Sequence, residues 1–241
     1  MRIPRTAAIL GTFLLSTVCT RADNDLQVRV SDADLTTLTN PHISKFAIEI
    51  RGSRWPTSTI WVCWEKDSGS YDAYKALVQN AVHDTWQRVS ALNFSGWQTC
   101  TEHNKGVHLS IQDIQPETLK VGRYLDTVSG GVILNFTLSK WRAPCADVRE
   151  ECIKVIAIHE FGHVLGLVHE GYQPNAPDLC AATVVGPPGD HPLTPYDRNS
   201  VMNYCNPHYG NNGALSECDV EAARLMYGAS AEPVDVKPCA A

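Results

Sequence analysis

"HEFGHVLGLVHE" occupies residues 159–170 and places three histidines and two glutamates in an otherwise apolar stretch. The surrounding pattern predicts a helix over about 150–165, and side chains four apart on a helix share one face. His159 and His163 therefore lie on the same face and can bind one metal ion. Glu160 lies beside them and can reach a water at that metal without being a ligand itself.

The third histidine of the stretch must approach the metal from outside the helix. His169 would not reach the same ion if the helix continued. Gly166 resolves this because glycine tolerates positive φ, so the helix can end there and the chain can turn sharply. Zinc suits nitrogen ligands, and a catalytic zinc site keeps three protein ligands and a water. These residues predict a catalytic Zn²⁺ site at His159, His163 and His169.

A competing interpretation is that the histidines are merely buried and hydrogen-bonded, since H-E-x-x-H alone has false positives. Five specified residues at fixed spacing, with a glycine where the geometry needs one, favour the metal site. The structural interpretation is retained for the other histidines: His42, His83, His103, His108, His191 and His208.

Composition and charge narrow the class of protein. The chain has 241 residues, a net charge of -6 and 44% hydrophobic residues, which predicts one main globular domain. It contains no long run of Lys or Arg, so no nucleic-acid partner is expected. Residues 1–22 combine two positive charges, an apolar stretch from Thr6 to Val18 and a cleavage site after Ala22, as secretory signals do.

That apolar stretch is shorter than the roughly 20 residues of a membrane span. A lipid anchor on Cys19 is the alternative, but Val18 fits it poorly. We expect a secreted, extracellular protein, or a periplasmic or cell-surface one if the source is bacterial.

The cysteines remaining after the signal peptide support export. An even number in an exported chain predicts up to four disulfides. Eight cysteines allow about 105 complete pairings, so the connectivity stays open. The favoured pairs are Cys63–Cys100, Cys145–Cys152 and Cys180–Cys205, and no partner is assigned to Cys218 or Cys239. A cysteine zinc cluster would need Cys-x-x-Cys pairs, which the sequence lacks. Asn93 and Asn135 begin glycosylation sequons that matter only in a eukaryotic source.

Hydrophobic periodicity outlines the domain and its elements. The predicted regions are a pro-segment or N-terminal arm over 23–51, a catalytic domain over 52–228 and a C-terminal tail over 229–241. Within the domain, strands are predicted over 58–65, 107–114 and 130–138, and a helix capped by Ser70 over about 70–92. A last helix should begin at Ser216, with a capping box to Asp219, and stop at Gly228. Residues 171–215 form a long Pro/Gly/Asn-rich loop.

The zinc motif carries a family resemblance. His159-Glu160-x-x-His163-x-x-Gly166-x-x-His169 resembles the signature of the metzincin zinc peptidases. "SVMNY" at 200–204 is similar to their Met-turn, and Glu170 and Tyr204 stand where astacins carry the same residue types. "RWPTSTI" at 54–60 resembles the start of an astacin domain, and "GGVILNF" at 130–136 resembles the edge strand that lines the cleft.

The resemblance covers about residues 52–228 and stops short of a subfamily. The sequence lacks an astacin-type pro-segment switch, the arginine-rich continuation after Glu170 and the calcium repeats of serralysins. The resemblance implies an α+β, metzincin-like zinc peptidase fold. That fold combines a twisted mixed sheet, an active-site helix, a backing helix and a loop-rich C-terminal subdomain.

The implied activity is that of a zinc metalloendopeptidase with Glu160 as general base and acid. By resemblance, Met202 forms a floor beneath the zinc, and Tyr204 is a further zinc ligand or an oxyanion donor. Packing of Tyr204 beside Cys205 is the alternative. We expect a protein or peptide substrate, added as a strand against an edge such as 130–136, and a monomer.

Two other classes remain open from the sequence alone. One is a zinc-containing binding or toxin-like module in which proteolysis is incidental. The other is a structural zinc domain, which would normally show four protein ligands.

Overall fold

The computed structural model describes residues 47–66, 71–101, 104–140, 145, 147–182, 184 and 186–239. The predicted signal peptide, most of the predicted N-terminal arm, and Ser70, His42 and His103 lie outside these residues. None of the helices in the described part combines the length and apolar character that a bilayer span requires.

In the part of the chain that the structure describes, short strands alternate with four α-helices. The strands are β1 (Ile48–Glu49), β2 (Thr59–Trp64), β3 (Asn93–Thr99), β4 (Val107–Ile111), β5 (Glu117–Thr118), β6 (Val132–Leu134) and β7 (His191–Pro192). The α-helices are α1 (Asp72–Val82), α2 (Arg149–Leu165), α3 (Asp178–Ala181) and α4 (Glu217–Tyr227). Short 3-10 turns follow at Gly122–Leu125, Glu170–Tyr172 and Tyr209–Gly213.

Five of the strands form one mixed sheet in the order β3-β2-β4-β6-β5. The first four run parallel, and β5 pairs antiparallel with β6 through Glu117 opposite Ile133 and Thr118 opposite Val132. The prediction that 130–136 forms an edge strand is therefore wrong. Residues 132–134 are apolar and buried between β4 and β5, and the short, more polar β5 takes the edge.

The alternation that predicted β2 is visible in its burial. Ile60 and Val62 are 1% exposed, whereas Trp61 between them is 54% exposed. The neighbouring strand β3 was not predicted, because Gly96 (φ +104°) and Trp97 (φ +66°) interrupt its alternation. They lie at a register shift opposite Val62 and Cys63, where the irregular backbone forms a bulge.

The backing helix is shorter and less regular than predicted. α1 spans Asp72–Val82, and a π-helical turn over His83–Gln87 follows it. Its predicted apolar face is nevertheless the one that packs inward, with Val78, Val82 and Trp86 fully buried. The Trp86 ring nitrogen donates to the carbonyl of Ile158 at 2.8 Å and so joins the backing helix to α2.

α2 begins at Arg149 and ends at Leu165, close to the predicted bounds. Buried residues lie on all of its sides, as in a helix enclosed within a core. Gly162 allows close packing there, because a Cβ at this position would lie 2.2 Å from the Met202 sulfur. The main core lies between the sheet and the two long helices.

The C-terminal half is rich in loops, and disulfides link segments in both halves of the described chain. Four disulfides join Cys63–Cys100, Cys145–Cys152, Cys180–Cys205 and Cys218–Cys239, so the three favoured pairs are confirmed. α4 starts with the predicted capping box between Ser216 and Asp219 and ends at Gly228.

Both ends of the described chain contact the domain. β1 pairs antiparallel with β7, and Glu49 forms a further bridge with Leu167. The tail is tied back through Cys239. The domain boundaries at 52 and 228 stay predictions.

Candidate metal centre

Three histidines converge at the floor of a cleft. The Nε2 atom of His169 lies 3.1 Å from Nε2 of His163 and 3.3 Å from Nε2 of His159. A tetrahedral zinc with bonds of about 2.0–2.1 Å separates its nitrogen ligands by about 3.3 Å. The three histidines can therefore hold a metal ion, and their donor set and spacing fit zinc.

Backbone carbonyls orient the two helical histidines. Nδ1 of His159 donates to Val201 O at 2.8 Å, and Nδ1 of His163 donates to Leu167 O at 2.8 Å. A carbonyl can only accept, so these bonds place the ring proton on Nδ1 and leave Nε2 with its lone pair. The loop that contains Val201 and Met202 thus supplies a carbonyl that orients the His159 ring.

Burial keeps both imidazoles in the neutral form that binds metal. Burial and, to a smaller extent, the nearby His159 together lower the pKa of His163 to about 3, although its hydrogen bond to Leu167 O opposes the change. The pKa of His159 is also lowered by burial, although its bond to Val201 opposes the change. At neutral pH neither ring has to lose a proton before it accepts a cation.

Gly166 turns the chain so that His169 can face the helix. Its φ is +113°, the positive value that the sequence predicts, and α2 ends there. The amide of Leu167 donates back to Gly162 O at 3.1 Å and closes the helix end. A Cβ on Gly166 would lie 2.5 Å from Ser53 Oγ, so a side chain here would strain the backbone at this φ and would also require Ser53 to move.

Glu160 lies beside the histidines in the wall of the cleft and is 6% exposed. Its Oε2 accepts a hydrogen bond of 2.7 Å from Thr118 Oγ1 on β5. The pKa of Glu160 is raised to about 8, chiefly by burial and also by the nearby Glu117, while the hydrogen bond from Thr118 opposes the rise. A carboxyl whose pKa lies near the operating pH is suited to transferring a proton in both directions.

Met202 and Tyr204 occupy the positions expected of a Met-turn. Met202 is 1% exposed and lies against Gly162 beneath the histidine-bearing face of α2. The Tyr204 ring lies at a centroid distance of 4.3 Å from the His169 ring and 5.6 Å from the His159 ring. Tyr204 also lines the cleft, together with Glu117, Thr118 and Glu160.

Glu170 stabilises the loop behind the site rather than facing the cleft. It is 3% exposed, and its Oε2 accepts from the backbone amide of Asp197 at 2.9 Å. Its own amide donates to Met202 O at 3.1 Å, which ties the end of the zinc motif to the Met-turn. Burial raises the pKa of Glu170 well above its usual range.

Sequence reasoning missed two residues that support the site. Thr118 lies in a two-residue strand, and no local pattern distinguishes it. Asp219 was predicted only as a helix cap, but its carboxylate also accepts from Ser200 Oγ at 2.6 Å and from Val201 N at 3.0 Å. The second role depends on a contact with a loop 18 residues away, which the capping motif does not report.

A second cluster of potential ligands comprises Cys63, Cys100 and His108. The two cysteines form a disulfide and have no thiolate to offer. His108 instead contacts Glu65 and the carbonyl of Asn104, at 3.2 and 3.1 Å. His83 pairs with Asp84, and His191 lies 3.7 Å from Glu49. These histidines have the structural surroundings expected of them.

Comparison with known proteins shows similarity in fold and not in sequence. No protein-family model matches the chain, and a search of curated proteins gives no match. Among solved structures, myroilysin matches with a TM-score of 0.50 and 17% identity, over 74% of this chain and 97% of that one. The match shows a shared fold, so the predicted α+β architecture with a twisted mixed sheet is confirmed.

Two further solved structures are similar at lower scores. A crystal structure of myroilysin has a TM-score of 0.49 and 16% identity, over 82% of this chain and 96% of that one. High choriolytic enzyme 1, a hatching enzyme zinc-protease from Oryzias latipes (medaka fish), has a TM-score of 0.46 and 14% identity, over 72% and 92%.

Proposed function

We propose that this chain is a secreted zinc-dependent endopeptidase. The observation that carries the proposal is the convergence of three histidine Nε2 atoms beside a buried glutamate on the floor of an open cleft. A purely structural zinc site would be closed by a fourth protein ligand and would have no need of an acid in the cleft wall. The four disulfides support export to an oxidising compartment.

In the proposed hydrolysis of a peptide bond, the zinc ion and the side chains of the protein have different roles. Zinc held by His159, His163 and His169 would polarise the scissile carbonyl and make water a usable nucleophile near neutral pH. Glu160 takes the proton of the attacking water and passes it to the leaving amine. Tyr204, whose ring lies against two of the histidines, donates a hydrogen bond to the oxyanion that develops on the carbonyl.

The substrate enters as an extended strand along β5. This strand is the sheet edge next to the site, and Glu117 and Thr118 line the cleft. Its outer backbone groups can pair with a peptide, as edge strands do in other peptide-binding proteins. The peptide edge is thus 117–118 and not 130–136.

A comparison of Glu160→Gln with the unmodified protein tests the proposal. We expect both to retain about one zinc per chain, measured by metal analysis, because Glu160 is not a ligand. Casein hydrolysis by the variant should fall by about 10²–10⁴, the usual contribution of general acid–base catalysis. Glu151→Gln, which removes an exposed carboxylate in the first turn of α2, serves as the matched control and should keep full activity.

Metal removal completes this test. Chelation should abolish hydrolysis, and stoichiometric zinc should restore it. Full activity of Glu160→Gln, or hydrolysis that survives complete removal of zinc, would contradict the proposal. Biological activity that persists when Glu160→Gln no longer cleaves protein would instead favour a zinc-containing binding or toxin-like module.

A further inference from the structure

Thr118 makes a contact that links the sheet edge to the zinc motif. Its Oγ1 donates to Glu160 Oε2 at 2.7 Å and lies 3.4 Å from the Glu160 backbone oxygen. The two residues are 42 positions apart, so tertiary folding alone creates the contact. The bond to the side chain is short and direct, as expected for a hydroxyl facing a carboxylate.

This hydroxyl is the sole hydrogen-bond donor to the Glu160 carboxylate that we find among the described residues. Glu160 is buried, and a buried carboxylate without fixed partners can change rotamer and is costly to ionise. Because Thr118 occupies one acceptor site of Oε2, the bond favours Oε1 as the oxygen that accepts a proton. One hydrogen bond thus limits both the orientation of the carboxylate and the atom that can act as base.

The position of Thr118 is set independently of Glu160. β5 is held by its antiparallel pairing with β6, and the amide of Leu119 donates to Gly131 O at 2.9 Å. The Thr118 backbone is therefore anchored to the sheet, while its side chain reaches the helix. A rigid strand can hold a catalytic side chain more accurately than a loop can.

We propose that Thr118 is a positioning residue that holds Glu160 in its productive orientation, and that β5 couples peptide binding to this orientation. The inference rests on the proposed peptidase function. The peptide pairs with the backbone of the same strand whose side chain holds the base. Thr118 therefore acts through Glu160 and need not touch the reacting atoms.

Two substitutions separate the hydroxyl from the shape of the side chain. Thr118→Val keeps the branched shape and removes the donor, whereas Thr118→Ser keeps the donor. We expect Thr118→Val to lower turnover on a single peptide by about 10–100-fold, the usual effect of losing a hydrogen bond to a charged group. The Michaelis constant should change less than about twofold, since the lost bond serves the chemical step.

Thr118→Ser should recover most of the turnover. Thr99→Val on β3, at the opposite edge of the sheet, is the control for a threonine-to-valine change in a strand. Zinc content should be the same in all variants. Turnover of Thr118→Val within about twofold of the unmodified protein would overturn the proposal, because the hydrogen bond would then contribute too little. A raised Michaelis constant at unchanged turnover would also overturn it, because the hydroxyl would then bind substrate.

A thermodynamic cycle tests the contact without any assay of activity. The melting temperatures of the unmodified chain, Thr118→Val, Glu160→Ala and the double variant measure the coupling between the two side chains. We expect Thr118→Val to lower the melting temperature when Glu160 is present and to have almost no effect when it is absent. Equal losses in both backgrounds would show that Thr118 only packs.

The two proposals fail in different ways. If Glu160→Gln remains fully active, the peptidase mechanism is wrong. If Glu160→Gln is inactive while Thr118→Val turns over normally, the mechanism stands and the positioning role is wrong.

Discussion

At the scale of single residues, the Tyr204 side chain lies against the histidine cluster. Its ring packs against His159 and His169 and lines the cleft. Packing beside Cys205, the alternative role, therefore does not keep it away from the metal centre. The contribution of the Tyr204 hydroxyl to turnover can be tested separately from that of the ring.

Tyr204→Phe isolates that contribution because it keeps the ring contacts. If the hydroxyl stabilises the oxyanion, turnover should fall by roughly 10²–10³ while the Michaelis constant changes little. Zinc content should be unchanged, since three histidines still hold the metal. Tyr124→Phe, at an exposed tyrosine, is the control for loss of a hydroxyl. Turnover within about twofold would show that Tyr204 only packs.

Gly166 can be tested through metal retention. Gly166→Val forces a branched side chain into φ +113° and against Ser53, so His169 should be displaced. We expect lower zinc content after dialysis as well as lost activity. Gly228→Val introduces comparable strain at φ +83° beyond α4, and should cost stability but keep zinc. Full zinc retention by Gly166→Val would show that the turn is unnecessary.

At the scale of elements, α4 supports the metal centre through Asp219. Its carboxylate caps the helix by accepting from Ser216 N at 3.0 Å and also holds Ser200 and Val201 of the Met-turn. Val201 in turn orients His159. The last helix is therefore connected to His159 through two hydrogen bonds, one from Val201 N to Asp219 and one from His159 Nδ1 to Val201 O.

Asp219→Ala should break this connection. It leaves several buried donors without an acceptor, so unfolding free energy should fall by about 2–5 kcal/mol. Zinc should also dissociate faster in a chelator competition, because Val201 no longer holds His159. Glu217→Ala removes an exposed acid from the same helix turn and is the control. A loss of stability without any change in the zinc off-rate would limit Asp219 to helix capping.

The asparagines of the two glycosylation sequons differ in their exposure to solvent. Asn135 is 1% exposed, and its amide group donates to Ile114 O at 2.8 Å and accepts from Leu138 N at 2.7 Å. Asn93 is exposed at the start of β3, at the sheet edge opposite the cleft. Export from a eukaryotic host should therefore yield folded protein with a glycan at Asn93 alone.

Mass spectrometry of the exported protein checks this prediction. Ser95→Ala should remove the glycan and leave hydrolysis intact, since Asn93 is remote from β5. A glycan found on Asn135 in folded, active protein would contradict the assignment of its amide to the core.

At the scale of the whole molecule, the burial of Glu160 has a cost in stability when this carboxyl ionises. Burial raises the pKa of Glu160 to about 8 from its usual 4.5. Below the usual value the group is protonated in both the folded and the unfolded chain. As pH rises through the range up to 8, the unfolded chain ionises first, and stability is progressively lost.

Glu160→Gln mimics the protonated acid and should remove this loss. In the presence of a chelator, we expect the variant to match the unmodified chain at pH 4 and to exceed its unfolding free energy at pH 9 by on the order of 1–3 kcal/mol. Urea unfolding at the two pH values measures the difference. A gap that is the same at both would mean that Glu160 does not ionise against burial.

Local chemistry in the sequence was sufficient to predict the convergence of the three histidines, three of the five strands in the sheet and the three longest α-helices. The spacing of His159 and His163 follows from helix periodicity, and the need for a turn at Gly166 follows from the reach of His169. Ser216 and Asp219 fall within one helix turn, so their capping box is also a local property. The same holds for the alternation of β2 and for the apolar face of the backing helix.

What only the tertiary structure decided are the contacts between distant segments. The edge of the sheet is β5 rather than 130–136. Strand order depends on long-range pairing, and the two residues of β5, Glu117 and Thr118, show no local pattern that would predict it. The bond from Thr118 to Glu160 and the second role of Asp219 arise in the same way. A local pattern shows which hydrogen-bonding groups a residue has. Which distant residue becomes its partner depends on the tertiary fold.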